Sequence, residues 1–145
     1  YKAKLAHLFM KEVTSKGSNQ HDLSLEIENT FDQMTSLENH IDHNALSFLI
    51  LREMKNIDKD NNRLQKYIDR FAQNHPQRYE GYYFRAAFHW KNKDREKTLY
   101  WLKEAEKRDP QNQNVQYTLK SVHSAYDKKI FRFSFGFDLS EMFSL

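Results

Sequence analysis

His40 and His43 stand three residues apart with Asp42 between them. On a helix that spacing puts two imidazoles on one face, and two imidazoles with a carboxylate can begin a divalent-metal site. No clear third ligand accompanies them, and the stretch falls at an expected helix junction, so the pair reads as solvated and structural. The three glycines, Gly17, Gly81 and Gly136, are isolated from one another. None belongs to a glycine-rich loop whose backbone could cradle a phosphate. No serine, histidine and acid set has the local context of a nucleophile with its base. The chain has no cysteine, which removes disulfides, thiolate metal sites and thiol nucleophiles. These residues predict a non-catalytic protein without metal or cofactor. An enzyme with an unrecognised site stays open as the rival reading, and a deep pocket of convergent titratable groups would mark it.

The elements that must position any site follow from composition and periodicity. The 145 residues suit one domain. Few glycines and two prolines favour helices with short connections. A net charge of +3 is too small to argue for nucleic acid. No apolar run approaches the roughly 20 residues needed to span a bilayer. Charge is uneven: Gly17 to Leu51 carries six acids and no lysine or arginine, whereas Lys120, Lys128, Lys129 and Arg132 near the other end face only Asp127. Solvated helix faces explain this blandly; steering of a partner, or head-to-tail self-association, is the functional reading.

Apolar residues at three- and four-residue intervals predict seven helices. They span about Tyr1–Thr14, Asp22–Asn39, a third that follows His43-Asn44 and ends near Ile57, Asp60–Gln73, Gln77–Lys91, Asp94–Arg108 and Asn112–Lys128. Ser15–Asn19 breaks the first from the second. The fifth is apolar nearly all round, with Tyr79, Tyr82, Tyr83, Phe84, Ala86, Ala87, Phe88 and Trp90. Such a helix is buried on more than one side. Phe131 to Phe137 alternates aromatic residues with others, which is strand periodicity. That segment, within the expected tail 130–145, is read as an ordered tail on the last helices, as the first strand of a following domain, or as a strand added to a partner's sheet.

A period runs through the helices. Lys59-Asp60 becomes Lys93-Asp94, and Pro76-Gln77, holding the first of only two prolines, becomes Pro110-Gln111. Tyr67-Ile68 maps onto Trp101-Leu102, and Phe71 onto Ala105. A shift of thirty-four residues is the signature of stacked supersecondary units. An irregular bundle with an accidental period is the alternative.

Tyr79 to Gln111 resembles a tetratricopeptide repeat. Tyr82 stands as the large opener of the first helix and Ala86 as its small residue, with Asn92-Lys93-Asp94 as the turn. Thr98, Leu102 and Ala105 are the packing positions of the second helix, and Pro110 closes the unit. Ala45–Pro76 is a looser copy: Phe48 opens it, Arg52 stands where the small residue belongs, and Leu64, Ile68 and Phe71 are larger than the pattern prefers, predicting a looser or shifted crossing. A degenerate third copy ends near Asp42, with Met34 and Leu37 matching Ile68 and Phe71. The resemblance implies an all-α stack of antiparallel helix hairpins, an α-solenoid, over 1–129. Its clearest units are 45–76 and 79–110, its capping helix is 112–128, and 130–145 is an aromatic-rich extended tail.

It also implies a concave groove lined by the first helix of each unit. The implied groove residues are Leu46, Leu49, Glu53 and Asn56; Glu80, Tyr83, Ala87 and Trp90; and Asn114, Tyr117 and Ser121. His89 and His123 fall at packing or groove positions. The lysine and asparagine set with which some members clamp a C-terminal carboxylate is missing, since Tyr83 and Ala87 replace it. The expected function is a protein–protein interaction scaffold that holds a peptide or protein segment. The expected compartment is the cytoplasm, or the periplasm if a signal lies upstream. A chain beginning at Tyr1 reads as a fragment or processed product, so the alternative is a helical-repeat segment of a larger membrane-associated or secretion and assembly protein. Membrane contact would come only through missing segments or the aromatic tail.

Overall fold

The computed structural model describes residues 20–37, 39–55 and 61–128, with residues 4, 7, 8, 10 and 11 ahead of them. Six helices follow in order: α1 Gln20–Leu37, α2 His43–Lys55, α3 Asn61–Asn74, α4 Glu80–Lys91, α5 Arg95–Arg108 and α6 Gln113–Lys128. Residues 4, 7, 8, 10 and 11 are also helical, and Leu8 is buried. The class is all-α among the described residues. The expected strand at 131–137, the breaker at 15–19, most of the turn at 58–62 and Asn56 lie outside them.

Local chemistry sets the helix ends. The Asp42 carboxylate accepts from the backbone N–H groups of Asn44 (3.0 Å) and Ala45 (3.3 Å), so α2 begins at His43 under an aspartate cap. Asp94 caps α5 by accepting from Lys97 N–H at 3.1 Å, and Asn112 caps α6 by accepting from Val115 N–H at 3.1 Å. Asp22, where the second helix was expected to begin, lies inside the first turn of α1, where its charge favours the exposed N–H groups. Between α4 and α5 the chain closes with a Schellman motif. Asp94 N–H donates to the His89 carbonyl and Lys93 N–H to that of Trp90, each at 3.0 Å, with Lys93 left-handed at φ 59°.

The starts of α4 and α6 follow the prolines. Helix α4 begins three residues later than the periodicity predicts, because Pro76–Tyr79 forms a turn. Its hydrogen bonds recur thirty-four residues on. His75 N–H donates to Phe71 O (2.8 Å) as Asp109 N–H does to Ala105 O (3.1 Å). Arg78 N–H donates to His75 O as Asn112 N–H does to Asp109 O, both at 3.2 Å. Tyr82 donates from its hydroxyl to Pro76 O (3.0 Å), and Gln116 from Nε2 to Pro110 O (3.1 Å).

From α2 onward consecutive helices pack on one another, and α4 with α5 make the most extensive contact. Helix α4 joins two cores. Phe84, Ala87 and Phe88 enter one with side chains of α1, α2 and α3. Tyr83, Ala86 and Trp90 enter the other with Leu102, Ala105, Val115 and Val122. This is the two-sided burial expected of a helix apolar all round, and each large side chain so buried contributes roughly 1.5–3 kcal/mol. Phe71 is fully buried despite its size because Gly81 lies across from it. A Cβ on Gly81 would sit 3.1 Å from Phe71 Cδ1. Thirty-four residues later the sizes are reversed, with Ala105 and Val115 both buried in the second core. The expected third copy fares less well: Met34 is buried like Ile68, but Leu37 is 68% exposed where Phe71 is 0%.

Candidate functional site

The face implied for partner binding belongs to α2, α4 and α6. Two hydrogen bonds tie these helices together. Lys91 Nζ donates to the Met54 carbonyl at 3.1 Å, and the Tyr83 and Thr118 hydroxyls share a buried hydrogen bond of 2.9 Å. Most of the implied groove residues turn out to be interior. Leu46, Leu49, Tyr83 and Ala87 are buried, as are Glu53 at 6% and Trp90 at 8% exposure. The reason is the two-sided burial of α4: Tyr83 and Trp90 fill the second core and cannot offer their rings to a partner. What the face does present is Glu80 and Asn114, half-buried, and Tyr117, 63% exposed. Ser121 is half-buried too. Glu80 Oε2 accepts from Arg78 Nε at 2.7 Å. Tyr79, half-buried, lies 6.1 Å from the Tyr83 ring.

Charges converge where α1, α2 and α3 meet. Arg52 Nη1 donates to Glu53 Oε1 at 3.1 Å, and both side chains are nearly buried. Arg63 lies 3.5 Å from the same oxygen and pairs with Glu28 as well. Burial pushes the Tyr67 phenol above its ordinary range, and the Glu53 charge adds to this. Arg52, expected to disturb the unit by standing at a small-residue position, is accommodated by that partner. Asp32 lies 3.9 Å from Lys66, so the acidic stretch of α1 is answered in part by α3.

A second cluster stacks cations on rings along α4 and α5. The Arg108 guanidinium lies 4.0 Å over Tyr82 and that of Arg85 lies 4.7 Å over Trp101. Arg85 also donates to Asp69 at 3.0 Å, and Arg108 to Glu104 at 2.6 Å. Lys107 and Arg108 donating to the Glu104 carboxylate hold its pKa below the ordinary value. Sequence reasoning missed this cluster because stacking joins residues from two helices; only the Glu104–Arg108 spacing was legible.

His40 and His43 do meet a third imidazole. His75 lies 4.6 Å from His40 and 5.6 Å from His43, ring centre to ring centre. Even so, no group of three histidine or carboxylate side chains among the described residues is arranged to hold a metal ion. Nor is any described helix long and apolar enough to cross a membrane. His89 is half-buried, and burial lowers its pKa, with Lys97 adding to the effect. His123 is exposed. No family model, no curated protein and no solved structure matches the chain.

Proposed function

We propose that this chain is a non-catalytic interaction scaffold, a stack of tetratricopeptide-like helix hairpins that holds a protein or peptide segment against the face of α2, α4 and α6. The observation that carries this reading is the recurrence, thirty-four residues apart, of the hydrogen bonds around Pro76 and Pro110. Turns after α3 and α5 that share these bonds would set the following helices at similar angles, and stacking at a constant angle would generate a curved, extended surface. The links between α2, α4 and α6 agree with first helices lying side by side.

Tyr117 is the anchor in this reading. It is large, rigid and 63% exposed, with one polar tip. In this reading Asn114, one helical turn before it on α6, and Glu80 of α4 would supply polar groups that orient an extended backbone. The test is selection from a displayed peptide library against the whole chain, followed by amide chemical-shift mapping of the selected peptides. Shifts should cluster at Glu80, Asn114 and Tyr117, and Tyr117→Ala should weaken binding about ten-fold, the cost of losing one aromatic anchor. Failure to enrich any peptide, or shifts confined to α5, overturns the reading.

A further inference from the structure

The connection between α1 and α2 is fastened to the turn between α3 and α4 by four hydrogen bonds. His40 Nε2 donates to Asn74 O at 3.0 Å, and Ile41 N–H donates to Asn74 Oδ1 at 2.7 Å. Asn74 Nδ2 donates to Asn39 O at 3.3 Å, and His75 Nε2 donates to Ile41 O at 2.6 Å. Ile41 is fully buried between the two connections and the first core. Three imidazoles are thus packed edge to face at one joint, and His40 is solvent-exposed while His43 and His75 are half-buried. Charged groups also stand at the joint. Arg78 stands on the same turn as His75 and is paired with Glu80. Asp42 lies 3.9 Å from His43 Nδ1, but its other oxygen is committed to capping α2. From α3 the neighbour is apolar, the Phe71 ring at 5.3 Å from His75.

We propose that this joint is a pH-sensitive latch: protonation of His75 on acidification loosens the 39–42 connection from the 74–75 turn and weakens the hold of α1 on the rest of the molecule. His40 and His75 each donate an Nε2–H to a backbone carbonyl, and the His75 ring packs edge to face with the other two. In acid the half-buried His75 must hold a cation on the turn that also carries Arg78, while the Asp42 carboxylate is engaged in capping α2. Burial holds the His75 pKa below the ordinary value of 6.5, as do the charges that His40, His43 and Arg78 would carry, and the hydrogen bond to Ile41 only partly offsets them. A lowered folded-state value means that the unfolded chain takes up the proton more readily. The stability linked to His75 is therefore fully present above pH 6.5 and is lost as pH falls through the folded-state value.

His75→Gln tests the latch, because the amide N–H can still reach the Ile41 carbonyl but does not titrate. Hydrogen exchange of amides 39–45, corrected for intrinsic rates, is followed from about pH 7.5 to about pH 5.5. Exchange should quicken roughly ten-fold in the unaltered chain and stay level in His75→Gln. His89→Gln is the control, since His89 shifts in the same direction far from the joint, and it should keep the response of the unaltered chain. Equal acid response in His75→Gln overturns the proposal. Should that variant fail to fold, the unaltered chain decides in its place: exchange of amides 39–45 that rises along the His75 imidazole titration followed by NMR upholds the latch, and exchange that does not follow that titration overturns it.

Discussion

Replacing Gly81 with alanine sets two effects against each other. Alanine favours the helix by up to about 1 kcal/mol. The added Cβ, however, would lie 3.1 Å from Phe71 Cδ1 and 3.5 Å from Ala72 Cα. Phe71 is 0% exposed, and its ring is held by Phe84 at 5.6 Å and His75 at 5.3 Å, so it cannot recede cheaply. Overpacking of this kind costs roughly 1–3 kcal/mol. The clash should win, with a net loss of about 1 kcal/mol and a fall in Tm of roughly 3 °C for a chain of this length. In a Phe71→Ala background, itself destabilised by roughly 3–5 kcal/mol, the obstruction is gone and the sign should reverse. Gly81→Val should then recover more than Gly81→Ala, because it recreates the small and large pair found at Ala105 and Val115. Urea unfolding followed by circular dichroism, at unchanged m-value, measures all of these. If Gly81→Ala stabilises both backgrounds equally, propensity alone governs the position and the close approach of α3 and α4 is not what selects glycine.

Ala86 of α4 is 0% exposed within the second core, so Ala86→Leu should destabilise by roughly 1–3 kcal/mol, read as a lowered urea midpoint. Lys93 holds φ 59°, a conformation costing a residue with a Cβ about 1 kcal/mol, so Lys93→Gly should raise the midpoint by up to that amount, a rise that vanishes if the turn is not left-handed in solution.

The helices were legible because their apolar residues recur at helical intervals and their ends carry recognisable stops. Asp94 capped as its position predicts, and both proline turns fell where the period put them. The start of α4 was misjudged because apolar periodicity continues through Tyr79 while the backbone of Pro76–Tyr79 turns. The groove residues were harder. Helical spacing shows that Tyr83 and Trp90 share a side of α4, but not whether that side meets solvent or α6. Burial of both sides was visible in the composition of the helix, and it argued against ring exposure all along.

The sequence by itself determined the helical class, the period and the turns, since these depend on neighbours within a few residues and on a repeat that can be read directly. Only the tertiary structure decided which side chains are exposed to a partner and that His75 joins His40 and His43. Those outcomes depend on which helix faces come together in space, and residues thirty or more positions apart leave no local pattern that would report it.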